Sequence, residues 1–196
     1  MTPDFLPING TDHIEMYVGN AKQASSFYQH CFGFELIAYA GPETGIRDRA
    51  SYVLKQNKIR LVLTSPLRSD SPVAKHLHQH GDGVKVLALW VDDATHSFME
   101  TTLRGAEEAM RPQKLKDDHG EVIMSSIKTY GDTIHTFVER KNYHGPFLPG
   151  YKAITSTFRA TPIGLQYVDH CVGNVELGQM NRWVDFYERV MGFRLL

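Results

Sequence analysis

Apolar and polar residues follow a pattern that occurs twice along this chain. The stretch TDHIEMYVGN, residues 11–20, has the two-residue period of a half-buried strand, and the similar stretch VDHCVGN recurs at residues 168–174. Each is followed by a helical period of apolar residues and then by Gly-Phe. The shared residues are Asp12, His13, Gly19, Asn20, Phe27, Tyr28, Gly33 and Phe34 in the first copy, and Asp169, His170, Gly173, Asn174, Phe186, Tyr187, Gly192 and Phe193 in the second.

Both copies predict a strand, a helix and the start of another strand. Asn20 is suited to cap the N-terminus of the first helix, and Gly33 and Gly192 supply the left-handed residue that commonly ends a helix. Apolar residues at helical spacing predict which face of each helix is buried. These residues are Ala24, Phe27, Tyr28 and Cys31 in the first helix, and Trp183, Phe186, Tyr187 and Val190 in the second.

Further strand-like runs extend the first copy into a βαβββ unit, and a second unit follows it. The first unit adds strands at 34–40, 50–55 and 59–64. The second has a strand at 83–91, a helix near 94–104, and strands near 107–111, 121–128 and 133–139. We therefore predict an α+β fold of paired βαβββ modules. Residues 1–150 are expected to form a domain of two modules, 151–164 a linker, and 165–196 the start of a second such domain.

Composition favours a small-molecule role. The chain has 196 residues, of which 42% are hydrophobic, so it can fill a core. Its formal net charge is −1 with scattered Lys and Arg, which gives no footprint for nucleic acid or an anionic membrane. No apolar run approaches the roughly 20 residues that cross a bilayer. Cys31 and Cys171 are two isolated cysteines and do not form a disulfide framework. We expect a soluble, cytoplasmic protein.

Histidines are the main candidates for chemistry. In the second copy, strand alternation predicts that Val168, His170 and Val172 share a face. A lone strand histidine is most often a core or surface residue, and a metal needs more than one protein ligand. His13 and His135 have the same status, and spacing alone does not show that they converge.

The run HLHQH at residues 76–80 has the spacing of helix-borne zinc sites, with His76 and His80 one turn apart. The glutamate of the HExxH motif is missing, so a solvated helix face is the favoured interpretation. GDGVK at residues 81–85 precedes a strand and is interpreted as a turn, not as a phosphate-binding loop. A Ser-His-Asp triad stays open, but the sequence contains no Gly-x-Ser-x-Gly elbow.

Several longer stretches resemble the 4-hydroxyphenylpyruvate dioxygenase family of the vicinal oxygen chelate superfamily. They include YVGNAKQASSFYQHCFGFELIAYAGPETGIRDRASYVLKQNKIRLVL at 17–63, HGDGVK at 80–85, TYGDTIHTFVERKNYHGPFLPGY at 129–151 and VDHCVGNVELGQMNRWVDFYERVMGF at 168–193. The resemblance runs in order from near the start to the end of the chain, and it implies the N-terminal half of such an enzyme. It also implies the paired βαβββ modules of a glyoxalase-like fold.

The resemblance implies an iron(II) dioxygenase of tyrosine breakdown that converts a 2-oxo acid, 4-hydroxyphenylpyruvate, and O2 into homogentisate and CO2. It implies a metal-free first domain and an iron held in the second domain by two histidines and a glutamate. His170 is assigned as the first ligand, and Val172 as part of the pocket wall. The other ligands are expected outside this sequence. Val86 and about Thr136 occupy their positions in the first domain, and no catalytic side chain is assigned.

Two alternatives stay open at this point. 4-Hydroxymandelate synthase is similar, uses the same substrate and iron, and oxidises the side chain instead of the ring. A truncated, non-catalytic chain whose first domain serves only for association belongs to a different class. With a single iron ligand, the chain alone is expected to be inactive, and exposed edges of the first domain favour a homo-oligomer.

Overall fold

The computed structural model describes residues 4–156, 158–159 and 161–195. Its strands and helices follow one another in the order that the sequence predicted for the two modules, with the helix expected around residues 76–80 between them. The elements are β1 (Gly10–Tyr17), α1 (Ala21–Phe32), β2 (Glu35–Ala40), β3 (Arg49–Gln56), β4 (Ile59–Pro66), α2 (Pro72–His80), β5 (Gly83–Trp90), α3 (Ala94–Leu103), β6 (Glu108–Asp117), β7 (Gly120–Lys128), β8 (Ile134–Glu139), β9 (Lys152–Ala153) and α4 (Met180–Met191).

One nine-stranded mixed sheet contains both modules, in the order β6-β7-β8-β5-β1-β4-β3-β2-β9. Within each module the first strand runs parallel to the last, so β1 pairs with β4, and β5 pairs with β8. The modules meet where β1 and β5 pair in antiparallel register. The predicted α+β fold of paired βαβββ modules is confirmed.

The two modules share a core on the concave face of the sheet. Val53 and Val62 from the first module and Val122 and Val138 from the second lie in one buried cluster with Phe147. We call this group the inner cluster; its formation requires the twisted sheet to curl. The Gly- and Pro-rich segment after β8 therefore fills the concavity, since Phe147 is only 2% exposed.

Helix α1 covers the convex face of the first module. Its ends follow the prediction: the Asn20 side chain accepts a hydrogen bond from the Gln23 backbone N–H, and Gly33 has a φ of 69°. Its predicted buried stripe is half right: Ala24 and Tyr28 pack against a core cluster, whereas Phe27 and Cys31 are exposed. The most buried positions are instead Ala21, Ser25 and Gln29. Gln29 Nε2 donates to Ser25 Oγ at 3.0 Å, so a satisfied polar pair occupies the buried face.

Helices α3 and α4 pack on the convex face of the second module. Val190 and Met191 of α4 lie in a buried cluster with Phe98 of α3 and Phe137 of β8, and Tyr187 packs against it. We call this group the outer cluster. The apolar stripe predicted for α4 is thus directed toward the protein, as expected. None of the helices in the described residues is long and apolar enough to span a membrane.

The strand predicted at 168–174 is not formed. Strands require a neighbour that satisfies their backbone N–H and C=O groups, and no strand in the described residues pairs with this stretch. Within this stretch only Val168 packs against a buried cluster, the one that lies beside α1. Most of the stretch is exposed. Helix α4 follows it and ends at Gly192 with a φ of 70°, as predicted.

Candidate functional site

His170 lies on the surface, with its side chain 73% exposed. Its Nδ1 is 2.7 Å from Asp169 Oδ2, although the two side chains were expected on opposite faces of a strand. A carboxylate that accepts from one imidazole nitrogen orients the ring and leaves the other nitrogen free for a metal. Val172, expected to form a pocket wall, is 77% exposed and borders an open cavity of about 320 Å³.

A larger cavity, of about 580 Å³, separates the second Asp-His pair from the sheet. Its lining includes His170, Leu87 and His135 of the sheet, and Trp183 and Tyr187 of α4. Its wall is mostly apolar with a few polar groups, which is typical of a small-molecule site. Residues of the second copy and of the second module thus border the same ligand-sized space.

His135 connects the sheet to α4. Its Nε2 is 2.9 Å from the Tyr187 hydroxyl oxygen, and its Nδ1 is 3.3 Å from the Leu87 carbonyl oxygen. Burial lowers the pKa of His135 to about 4 in spite of the Leu87 hydrogen bond, and burial also raises the pKa of Tyr187. The imidazole is therefore neutral near pH 7, where Nδ1–H donates to the carbonyl and Nε2 accepts from the tyrosine hydroxyl. These contacts give His135 a structural role.

His13, the counterpart of His170, is buried in β1. Its Nδ1 is 2.6 Å from Asp12 Oδ1, and its ring meets Phe147 edge-on at a centroid distance of 5.0 Å. The pairing of β1 with β5 shifts register between Thr11 and His13, which disturbs the alternation of side chains. Asp12 and His13 are therefore both buried, although they are neighbours in a strand. His13 faces the inner cluster and His135 the outer cluster, so these two histidines do not converge.

Asp12 is the centre of a buried ion-pair network that joins the two modules. Arg140 donates from Nε and Nη2 to its two carboxylate oxygens at 2.6 and 2.7 Å, and from Nη1 to the Phe147 carbonyl. Arg60 of β4 lies 3.7 Å from the same carboxylate. Burial alone would raise the pKa of Asp12, but hydrogen bonds and charges of His13 and Arg140 outweigh it and hold that pKa well below its usual range.

The described residues do not complete an iron site around either histidine. Val86 and Thr136, at or near the positions that the resemblance implies for the other two ligands of the first domain, are buried, and Thr136 Oγ1 lies 2.8 Å from Ser126 Oγ. In the second copy, Asp169 is the hydrogen-bond partner of His170. A two-histidine, one-glutamate site needs more donors than this, so the full set is not present in the described residues.

A different set of donors does converge, at the end of α2. His76 and His80 have ring centroids 4.5 Å apart, and His80 Nε2 is 2.6 Å from Asp132 Oδ2. Among the described residues, these form the one group of three His, Cys, Asp or Glu donors within 4.8 Å of one another. The sequence pointed to the two histidines but not to Asp132, because the β7–β8 connection meets α2 only after β8 has paired with β5.

Comparisons with known proteins agree with these features. The sequence model of the Glyoxalase/Bleomycin resistance protein/Dioxygenase superfamily matches residues 10–137. The chain is 43% identical to a 4-hydroxyphenylpyruvate dioxygenase of Aspergillus fumigatus, covering 94% of this chain and 50% of the fungal protein. It is 42% identical to the same enzyme of Dictyostelium discoideum, with 95% and 52% covered. The chain spans about half the length of the curated relatives it matches.

A solved structure gives a similar result. A triple mutant of 4-hydroxymandelate synthase from Streptomyces coelicolor superposes with a TM-score of 0.81 at 30% identity. The match covers 97% of this chain and 55% of that protein. The similarity therefore includes the second copy of the repeat as well as the paired modules.

Proposed function

Because this chain belongs to the Glyoxalase/Bleomycin resistance protein/Dioxygenase superfamily, we propose that it is the N-terminal half of a 4-hydroxyphenylpyruvate dioxygenase. The whole protein would convert 4-hydroxyphenylpyruvate and O2 into homogentisate and CO2 in tyrosine breakdown. The observation that carries the proposal is 43% identity over 94% of the chain to an enzyme of that name. This identity exceeds the 30% shared with the 4-hydroxymandelate synthase structure.

In this proposal, His170 is the iron ligand that the chain contributes. The Asp169 contact at 2.7 Å supports the role, because it fixes the ring and directs Nε2 outward. Exposure of the ring allows further ligands to approach it from outside the described residues. Iron(II), when bound, would supply the redox chemistry for reaction with oxygen, and Val172 would line the space beside it. With one ligand of three, the chain alone is inactive under this proposal.

The proposal also includes cytoplasmic location and a homo-oligomeric state. The near-neutral charge and the lack of a basic patch favour small-molecule chemistry over nucleic acid or membrane binding. Phe27 and Phe32 are exposed side by side on α1, with ring centroids 5.6 Å apart. An exposed apolar patch of this kind supports association between copies.

The first test is His170→Ala in the complete gene product. We expect iron content, measured by mass spectrometry after equilibrium dialysis, to fall at least about tenfold, since a metal ligand is lost. Homogentisate formation should disappear, while the far-ultraviolet circular dichroism spectrum stays unchanged because the side chain is exposed. His144→Ala, at another exposed histidine, is the matched control. Homogentisate formation by the His170→Ala protein would contradict the ligand assignment.

4-Hydroxymandelate synthase is the second candidate, supported by the TM-score of 0.81 to a structure of that enzyme. Chromatography of the reaction products separates the two candidates, because one gives homogentisate and the other 4-hydroxymandelate from the same substrate. A folded protein that binds no iron and forms neither product would favour the non-catalytic association alternative.

A further inference from the structure

The surface where α2 meets the β7–β8 connection carries a group of imidazole and carboxylate side chains remote in sequence from His170. His76 and His80 are four residues apart on α2, so their rings point from the same helix face. Asp132 lies in the short connection between Lys128 and Ile134. Ligand atoms of His76, His80 and Asp132 all lie within 4.8 Å of one another.

We propose that His76, His80 and Asp132 form a binding site for a divalent transition-metal ion of the Zn²⁺ type. Imidazole nitrogen suits such ions, and a carboxylate oxygen completes a three-ligand set that leaves a position for water. This site goes beyond the proposed dioxygenase function and uses none of the residues assigned to iron.

The observed geometry is close to what such an ion needs. In a tetrahedral zinc site with ligand distances of about 2.0–2.1 Å, donor atoms lie roughly 3.3 Å apart. His80 Nε2 and Asp132 Oδ2 are now 2.6 Å apart, so insertion of an ion requires them to separate by less than about 1 Å. Their exposed positions allow that movement. The adjoining cavity of about 320 Å³ gives a fourth ligand, such as water, room to enter.

A simple ion pair between His80 and Asp132 is the competing interpretation. It explains their hydrogen bond but assigns no role to His76. The His76 ring has no hydrogen-bond partner among the described residues and lies against the rings of His80 and Tyr17. Lys85 opposes metal binding, because its ammonium donates to the Asp132 carbonyl and repels a cation. We therefore expect Lys85→Gln to tighten binding.

The experiment is a Zn²⁺ titration of the metal-free complete gene product, with bound Zn²⁺ counted by mass spectrometry after equilibrium dialysis. His76→Ala is the decisive variant, because it leaves the His80–Asp132 contact intact. We expect it, like His80→Ala, to weaken Zn²⁺ binding at this site at least tenfold, and His170→Ala to leave the site unchanged. His78→Ala, on the opposite part of the same helix, is the matched control.

If His76→Ala binds the same number of Zn²⁺ ions per chain as the wild type, with affinities within twofold, the proposal is overturned and only an ion pair is left. If His170→Ala is the only variant that loses Zn²⁺ binding, the Zn²⁺ is bound at the proposed iron position, and the proposal is overturned as well. Iron content and homogentisate formation, measured on separate iron(II)-reconstituted portions of the same proteins, report on the dioxygenase proposal. Failure of one proposal is therefore distinguishable from failure of the other.

Discussion

The two Asp-His pairs have the same local geometry in opposite surroundings. Nδ1 of the histidine is 2.6 Å from a carboxylate oxygen of Asp12 in the first copy and 2.7 Å from one of Asp169 in the second. His13 is 4% exposed and packs on Phe147, whereas the His170 side chain is 73% exposed. The dipeptide determines the hydrogen bond, but the surrounding structure determines whether the imidazole can reach a ligand.

The carboxylates differ as much as the histidines. Asp12 accepts two hydrogen bonds from Arg140 and thereby ties β1 to the end of β8, while Asp169 has only its neighbouring histidine among the described side chains. The first pair has thus become part of the core, and the second is available for binding. Variants at each pair separate these two roles.

Asp12→Ala should give the largest loss of stability. Arg140 is only partly accessible to water, with its side chain 15% exposed, so the variant leaves a nearly buried charge without a partner. We expect the free energy of unfolding to fall by about 3–5 kcal/mol in guanidinium denaturation. Asp12→Asn, which keeps the shape, should retain part of this stability. A loss below about 1 kcal/mol for Asp12→Ala would mean that Arg140 is adequately solvated in the folded protein.

The next largest effect should be a dependence of the free energy of unfolding on pH, caused by His135 at the contact between the second copy and the sheet. The pKa of His135 is about 4 in the folded state against an ordinary 6.5, so the unfolded chain binds an additional proton between these values. Stability is complete above about pH 6.5 and falls as the pH drops toward 4, by up to about 3 kcal/mol. His135→Asn should flatten this dependence relative to the exposed-site control His144→Asn. If the stability of His135→Asn depends on pH in the same way as that of the wild type, His135 is not the group that causes the dependence.

Asp169→Ala should have the smallest effect on stability. Its side chain is 77% exposed, so we expect the free energy of unfolding to stay within about 0.5 kcal/mol of the wild type. Iron affinity of the complete gene product should nevertheless decrease about 10–100-fold, because the His170 ring loses the group that orients it. Unchanged iron affinity would remove the support that Asp169 gives to the ligand assignment.

Local signals in the sequence predicted most of the sheet. The strands predicted at 50–55 and 59–64 are present as β3 and β4, and Asn57, with a positive φ of 50°, lies in the turn that joins them. Strand β6 is longer than predicted and passes through Pro112, which lacks a backbone N–H. It is an edge strand, where a missing donor is tolerated, and its pairing shifts register between Met110 and Gln113.

Features that depend on distant partners could not be predicted. The apolar alternation of residues 168–174 is typical of a strand, but pairing depends on a neighbour that the stretch itself does not specify. In α1, hydrophobicity selected Phe27 and Cys31, whereas the buried face holds the hydrogen-bonded Ser25 and Gln29. Asp132 joins His80 across 52 residues, and no local pattern indicates that contact.

The antiparallel pairing of β1 with β5 has a consequence for how such modules can exist. Each of these strands covers the inner edge of the other module, so one module alone would present an open edge with unpaired backbone groups. Two separate copies could restore the pairing only by mass action, at a rate and extent set by their concentration. Joining them in tandem replaces that dependence with an effective concentration in the millimolar range, so pairing becomes independent of expression level.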